Sequence, residues 1–182
     1  FVVRNFDNVL YRVLRAGERA VAAQTPDPRI RVRLVNKDDD AEVRLFSRIA
    51  MTGFHPPGHE FAESDYEIWA RVVKHPRTRS LLASVETREG LVPAGAGSIE
   101  LHNEIACLFG LSTVHEYRRL GIQQSLIAAR LNLAIDHGVK VATIGSRPGA
   151  GTERNVRRMG FQTAYTKVIL ARPGPGLVPA RG

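Results

Sequence analysis

The chain has 182 residues and a mass of 20.1 kDa, enough for one domain or one domain with part of another. Hydrophobic residues make up 43% and charged residues 24%, which excludes wholesale disorder, collagen and coiled coil. The net charge is +8, and no run of about 18 apolar residues exists, so no segment is long and apolar enough for a membrane-spanning helix.

The charge is uneven. Residues 1–33 carry seven Arg against three acids, residues 34–104 eight Lys or Arg against twelve acids, and residues 105–182 eleven against three. Overall basicity points to nucleic acid or another anionic ligand. Basic ends around an acidic middle point instead to a protein that takes two substrates of opposite charge. The single Cys107 cannot form an internal disulfide, so a reducing, cytoplasmic setting is expected. The first residue is Phe1 rather than Met, and a targeting segment upstream stays open.

In chain order, Ile30–Asn36 alternates apolar and basic residues, which predicts a strand. Asp38–Asp40 supplies a cap and first-turn acids for a helix through Met51, with Val43, Phe46, Ile49 and Ala50 on one face. His55-Pro-Pro-Gly58 predicts a loop. A second helix is expected from Ala62 to Lys74, burying Ile68, Val72 and Trp69. Arg79–Glu86, Pro93–Leu101 and Glu104–Val114 read as three successive strands. A long helix follows from Gly121 to His137 on the spacing of Leu126, Ile127, Leu131, Ala134 and Ile135, and Gly138 stops it. Val139–Ile144 reads as a short buried strand, residues 152–159 as a helix and Gln162–Leu170 as a last strand. The order βααβββαβαβ is that of a mixed α/β domain, and the Pro- and Gly-rich tail at 173–182 is expected to be flexible.

Residues 1–12 can be laid over residues 161–172, matching Phe1 with Phe161, Leu10 with Leu170 and Arg12 with Arg172. Two origins fit residues 1–14: an ordinary N-terminal strand, or the last strand of an upstream copy of the same domain. The expected division is therefore 1–29 as that strand plus a linker, 30–172 as the domain, and 173–182 as the tail.

The segment from Leu111 to Leu126 carries the most chemistry. It reads as a strand, a basic turn with one glycine, and a helix. A turn of this kind exposes backbone N–H groups at a helix N-terminus, where the macrodipole favours an anion. Arg118 and Arg119 add full charges, and Gly121 lets the backbone approach a pyrophosphate closely. The turn is neither a Walker loop nor a dinucleotide fingerprint.

Arg118-Arg119-Leu120-Gly121-Ile122-Gln123 resembles the acetyl-CoA loop of GNAT superfamily N-acetyltransferases, Gln/Arg-x-x-Gly-x-Gly/Ala, with Gln123 in place of the second small residue. The resemblance extends to Arg154–Phe161 with its Gly-Phe step, and covers about residues 30–172. It implies a central mixed, mostly antiparallel sheet flanked by helices. It also implies direct acetyl transfer from acetyl-CoA to the primary amine of a small-molecule or peptide acceptor. Leu111, Ser112 and Thr113 would offer backbone groups to the pantetheine arm. Arg118, Arg119, Leu120, Gly121, Ile122, Gln123 and Gln124 would cradle the pyrophosphate. Asn155 and Arg158 would border the cofactor from the closing helix.

In the family the general acid is often a Tyr four residues before the Gly of Gly-Phe, and here that position is Val156. Tyr165 and Tyr117 are the substitutes, with Tyr165 carried forward. For the base, Glu100, His102 and Glu104 flank the turn into the cofactor strand, and Glu104 ranks first. Cys107 reads as a small buried hydrophobe. His55 and His59 lack a third ligand, so no metal site is expected. Their loop, by family position, would shape the acceptor pocket. A degenerate acyl-CoA-binding or regulatory domain is the alternative reading. Nucleic-acid binding ranks last, since no aromatic–basic pattern accompanies the charge. A monomer or homodimer without membrane contact is expected.

Overall fold

Asp39 caps the first helix as the acidic run predicts: its Oδ1 accepts from the backbone N–H of Ala41 at 2.9 Å and of Glu42 at 3.3 Å. The structure, a computed structural model, describes residues 1–172 and 174, so the expected tail lies outside the described residues but for Gly174. Its elements are β1 (Val2–Val13), β2 (Ile30–Leu34), α1 (Asp40–Thr52), α2 (Glu63–Lys74), β3 (Thr78–Thr87), β4 (Gly90–His102), β5 (Ile105–Thr113), α3 (Ile122–Asp136), β6 (Val141–Ser146), α4 (Gly151–Arg158) and β7 (Gln162–Ala171).

All seven strands form one sheet in the order β2-β3-β4-β5-β6-β1-β7. Every neighbouring pair is antiparallel except β5 and β6. Helix α3 lies across one face. Its Ile122, Leu126, Ile127 and Leu131 bury against Leu81, Val85, Ile99, Leu108 and Ile144, with Val156 and Met159 from the α4 end. Helices α1 and α2 cover the other face only over β3–β5, through Val43, Phe46, Ala50, Val73 and Leu82. The predicted mixed α/β architecture is present, with β1 added ahead of it.

Helix α2 turns a different stripe inward than expected. Ile68 is 59% exposed, Val72 is half-buried, and Val73 is buried. Trp69 and Val73 are four residues apart and share a face, with Trp69 edge-on to Phe46 at 6.2 Å. A twelve-residue helix on the sheet margin needs only that narrow stripe.

No structural division falls at residue 29. β1 runs between β6 and β7, and Leu10 within it is fully buried. Beyond it, Ala20 is buried against α3 and exchanges hydrogen bonds with the Asn132 side chain, at 2.8 and 3.0 Å. Residues 1–29 thus pack on the same sheet and helix as the rest of the described residues.

Candidate functional site

β5 and β6 pair from Ile105↔Val141 to Leu108↔Ile144 and then part. On its other side β5 is bulged against β4: Ser98 faces Phe109 and Ala96 faces Ser112, so Gly97 stands opposite two residues, Gly110 and Leu111. Gly110 has φ +61 and meets the Trp69 ring, which a Cβ there would approach to 3.0 Å. Glycine is required at that bend.

Arg130 holds the bulge from within the core. It is fully buried, and its guanidinium donates to Leu126 O at 3.0 Å, Ser98 O at 2.9 Å and Phe109 O at 3.2 Å. Gly97 leaves the room, since a Cβ there would sit 3.1 Å from Arg130 Cζ. No carboxylate among the described residues pairs with Arg130, and burial pushes its pKa below the ordinary arginine range. Its Nη2 has no partner among the described residues. Sequence patterning misses this residue, because a lone Arg in an apolar helix reads as solvent-facing.

The parted strands open a cleft of about 590 Å³ lined by Leu111, Ser112 and Thr113 of β5. Ser112 Oγ donates to Ile49 O at 2.8 Å and accepts from Gly53 N at 3.1 Å, which fastens the end of α1 to the cleft wall. Thr113 Oγ1 is buried without a partner among the described residues. The turn follows through Tyr117, Arg118 and Arg119, all on the cleft. Arg118 Nη2 donates to Gly53 O at 3.3 Å, and Arg119 holds a left-handed φ of +69.

Gly121, with φ +92, opens α3 at the cleft floor, where a Cβ would lie 2.9 Å from Pro26 Cα. No side chain caps α3 and its first turn holds no acid, so the positive end of its dipole is left for a ligand. Ile122, Gln123 and Gln124 line the same floor. Gln123, which departs from the small-residue pattern, is part of a network. Asn155 Nδ2 donates to Gln123 Oε1, Gln124 Nε2 donates to Asn155 Oδ1 at 3.3 Å, and Gln124 Oε1 accepts from Gln24 N at 3.0 Å. The two glutamines tie α3 to α4 and to the segment before β2. Gln24, Gly53, Phe54, Gly151 and Thr152 complete the lining without a prior signal in the sequence.

Four expected residues are elsewhere. Leu120 packs against the core, and its carbonyl accepts from Asp27 N at 3.0 Å. Arg158 is exposed on the last turn of α4, off the cleft. Glu104 precedes β5 at the end opposite the cleft and is ion-paired with Lys140. Seven residues of strand, roughly 23 Å, separate it from Leu111. Tyr165 is 58% exposed on the edge strand β7, opposite Val9, and does not line the cleft. In both cases chain proximity does not become spatial proximity: a residue at the start of a strand is far from a cleft at its end. Val156 is fully buried.

Tyr117 lines the cleft. Glu100 stands directly opposite Cys107, and both share a hollow of about 510 Å³ with His75 and Phe109, two residues up β5 from Leu111. Cys107 is exposed rather than buried, because α1 and α2 stop short of that part of the sheet. His102 is bonded to Arg77. His55 and His59 stack at 4.3 Å, and among the described residues no three His, Cys, Asp or Glu group to hold a metal. The same loop lends His59 and Phe61 to a hollow of about 440 Å³ beside α2.

No family model matches the sequence, and no curated protein matches it. Solved structures do match. A GCN5-related N-acetyltransferase from Sphaerobacter thermophilus superposes with a TM-score of 0.68 at 18% identity, over 92% of this chain and 51% of that one. The fold is that of the GCN5-related N-acetyltransferases. AAC(6')-Iy, solved in complex with the bisubstrate analog CoA-S-monomethyl-acetylneamine, shares this fold with a TM-score of 0.58 at 18% identity, over 80% of this chain and 98% of that one. A tandem GNAT protein from the clavulanic acid biosynthesis pathway gives 0.64 at 13% identity, over 90% of this chain and 51% of that one. The chain thus spans about half the length of two of these GNAT structures.

Proposed function

We propose that the chain transfers an acetyl group from acetyl-CoA directly to a primary amine of a small-molecule or peptide acceptor. The observation that carries this reading is the open cleft where β5 leaves β6, floored by the uncapped N-terminus of α3. The residues present fit the co-substrate. Arg118, Arg119 and the α3 terminus would hold the pyrophosphate. The β5 edge from Leu111 to Thr113, freed from β6, would bond the pantetheine amides, and the unpartnered Thr113 hydroxyl is there to receive one. The analog bound to AAC(6')-Iy joins CoA to an aminoglycoside, and similarity extends that two-substrate chemistry to this chain as a proposal.

The amine must lose a proton, attack the carbonyl carbon and expel a thiolate that needs a proton. Tyr117, on the cleft, takes the acid role in place of Tyr165. Glu100 takes the base role in place of Glu104, acting through water from the hollow beside Phe109. The cleft is open rather than plugged by side chains, which favours the enzyme over a degenerate acyl-CoA-binding domain. Calorimetry with acetyl-CoA, desulfo-CoA and a long-chain acyl-CoA tests the reading. Micromolar binding of acetyl-CoA supports it, with amine-dependent thiol release as the next measurement. No binding of any CoA sinks it.

A further inference from the structure

The segments 1–12 and 161–172 align at an offset of 160 residues, and in the sheet they are β1 and β7, hydrogen-bonded antiparallel to each other. Two equivalent strands related by a local twofold axis must pair so that the residue on the axis faces its own equivalent. At an offset of 160 that requirement is met by Asp7↔Lys167, and this pair is present at the middle of the ladder. The ladder has two irregularities. One extra residue, Arg4, lies on β1 between Val3↔Leu170 and Asn5↔Ile169, and one, Ala164, lies on β7 between Val9↔Tyr165 and Leu10↔Thr163. Arg4 and Ala164 are also 160 residues apart, so the axis carries one bulge onto the other. Sequence match, register and bulges are separate observations, and they name the same axis.

The surroundings break that symmetry on one side only. The inner edge of β1 pairs with β6 from Asn8↔Ser146 to Val13↔Val141, whereas β7 is the last strand of the sheet. Leu10 is fully buried, while its equivalent Leu170 is 55% exposed. Every residue from Gln162 to Val168 is exposed, including Tyr165 and Val168. Open edges of this kind are templates for a further strand.

We propose that the outer edge of β7 joins the sheet of a second domain of this fold, upstream in the same polypeptide, whose own last strand is Val2–Val13. The two domains thereby exchange last strands. The axis that relates β1 to β7 places the second domain's equivalent of β6 against β7, and its sheet continues outward from there. This holds whatever chemistry the cleft performs.

The sequence itself supplies the test. Residue 172 is the equivalent of residue 12, so residues 13–172 joined directly to residues 13–182 recreate the exchanged pair without an added linker. The expected product sediments as a monomer of twice the domain mass. By hydrogen exchange, amides of the second copy's β7 are slowed at least about 100-fold relative to those in the 182-residue chain. A joined protein that fails to fold, or whose second β7 exchanges as fast as in the single chain, overturns the proposal. Sedimentation of the single chain gives an independent reading. A tight homodimer with protected β7 amides would put a second copy's strand on that edge and overturn the proposal as well. A monomer with fast-exchanging β7 amides supports it.

Discussion

The sheet opens in two places, and the openings differ in how they are held. Where β5 leaves β6, the gap is braced from several sides: Arg130 grips the bulge, Ser112 pins α1, and Gln123 and Gln124 lock α3 to α4. Among the described residues no strand or helix bonds the outer edge of β7, and apolar residues stand exposed there. A gap that the rest of the protein keeps open is built for a ligand, whose binding needs fixed geometry. An edge that lacks any bracing is built to be filled by protein, since a strand supplies its own geometry when it pairs.

The sharpest way to break this comparison uses equivalent residues on the two paired strands. Leu10→Ala removes a fully buried side chain and is expected to cost about 3 kcal/mol, whereas Leu170→Ala, at 55% exposure, stays within about 0.5 kcal/mol. Urea unfolding of both variants measures the difference. Equal losses would mean that β7 is already covered in the isolated chain. At the other opening, Gly121→Glu is expected to weaken acetyl-CoA binding at least about 100-fold, or roughly 2.7 kcal/mol. Its Cβ would meet Pro26 Cα at 2.9 Å at a φ of +92, and its carboxylate would repel the phosphates. Unchanged affinity in calorimetry would remove the α3 turn from the site.

Arg130→Met probes the bracing itself. The side chain fits the volume but leaves Ser98 O and Phe109 O without their buried donor, an expected loss of about 2 kcal/mol. Acetyl-CoA affinity should fall about tenfold with it, because β5 carries both the bulge and the cleft wall. A variant that loses stability while binding acetyl-CoA as before would show that the bulge does not set the cleft.

Much of this was legible in the sequence, for identifiable reasons. The periodicity of α3, the Asp39 cap and the Gly121 turn are local features, and local rules place them. The basic turn stands out because its charges and glycine are contiguous in the chain, and Arg118, Arg119 and Gly121 line the cleft. Glu104 and Tyr165 stand near the cofactor segment in the chain, but the fold puts them at the far end of β5 and on the sheet edge, away from the cleft. Cys107 looks buried from the sequence because alternation along a strand says which face a residue takes, not whether a helix covers that face. Arg130 leaves one trace, the glycine at 97, whose meaning depends on a side chain 33 residues later in the chain.

The smallest effect concerns how firmly β1 belongs to this domain. Glu153 accepts from Gly149 N at 2.6 Å, from Arg157 Nη2 at 2.8 Å and from Asn8 Nδ2 at 3.0 Å, so one carboxylate joins α4 to β1. The Gly149 N–H first, then the Arg157 guanidinium and Asn8, hold its pKa below the ordinary glutamate value of 4.5. A depressed carboxylate stabilises the fold above its unfolded pKa, and that contribution disappears as pH falls through the lower folded value. The wild-type chain should therefore lose stability below pH 4.5 more steeply than Glu153→Gln, measured by thermal unfolding across an acid series. Because Asn8 is a partner, the lost contribution includes the seating of β1, and hydrogen exchange at Asn8–Val13 should rise with it in acid. Coincident loss would mean that α4 and β1 are held as one unit, as a strand seated in the core requires. Acid loss without a change in β1 exchange would mean that β1 is held by its ladders alone, which is the behaviour expected of β7 at the open edge.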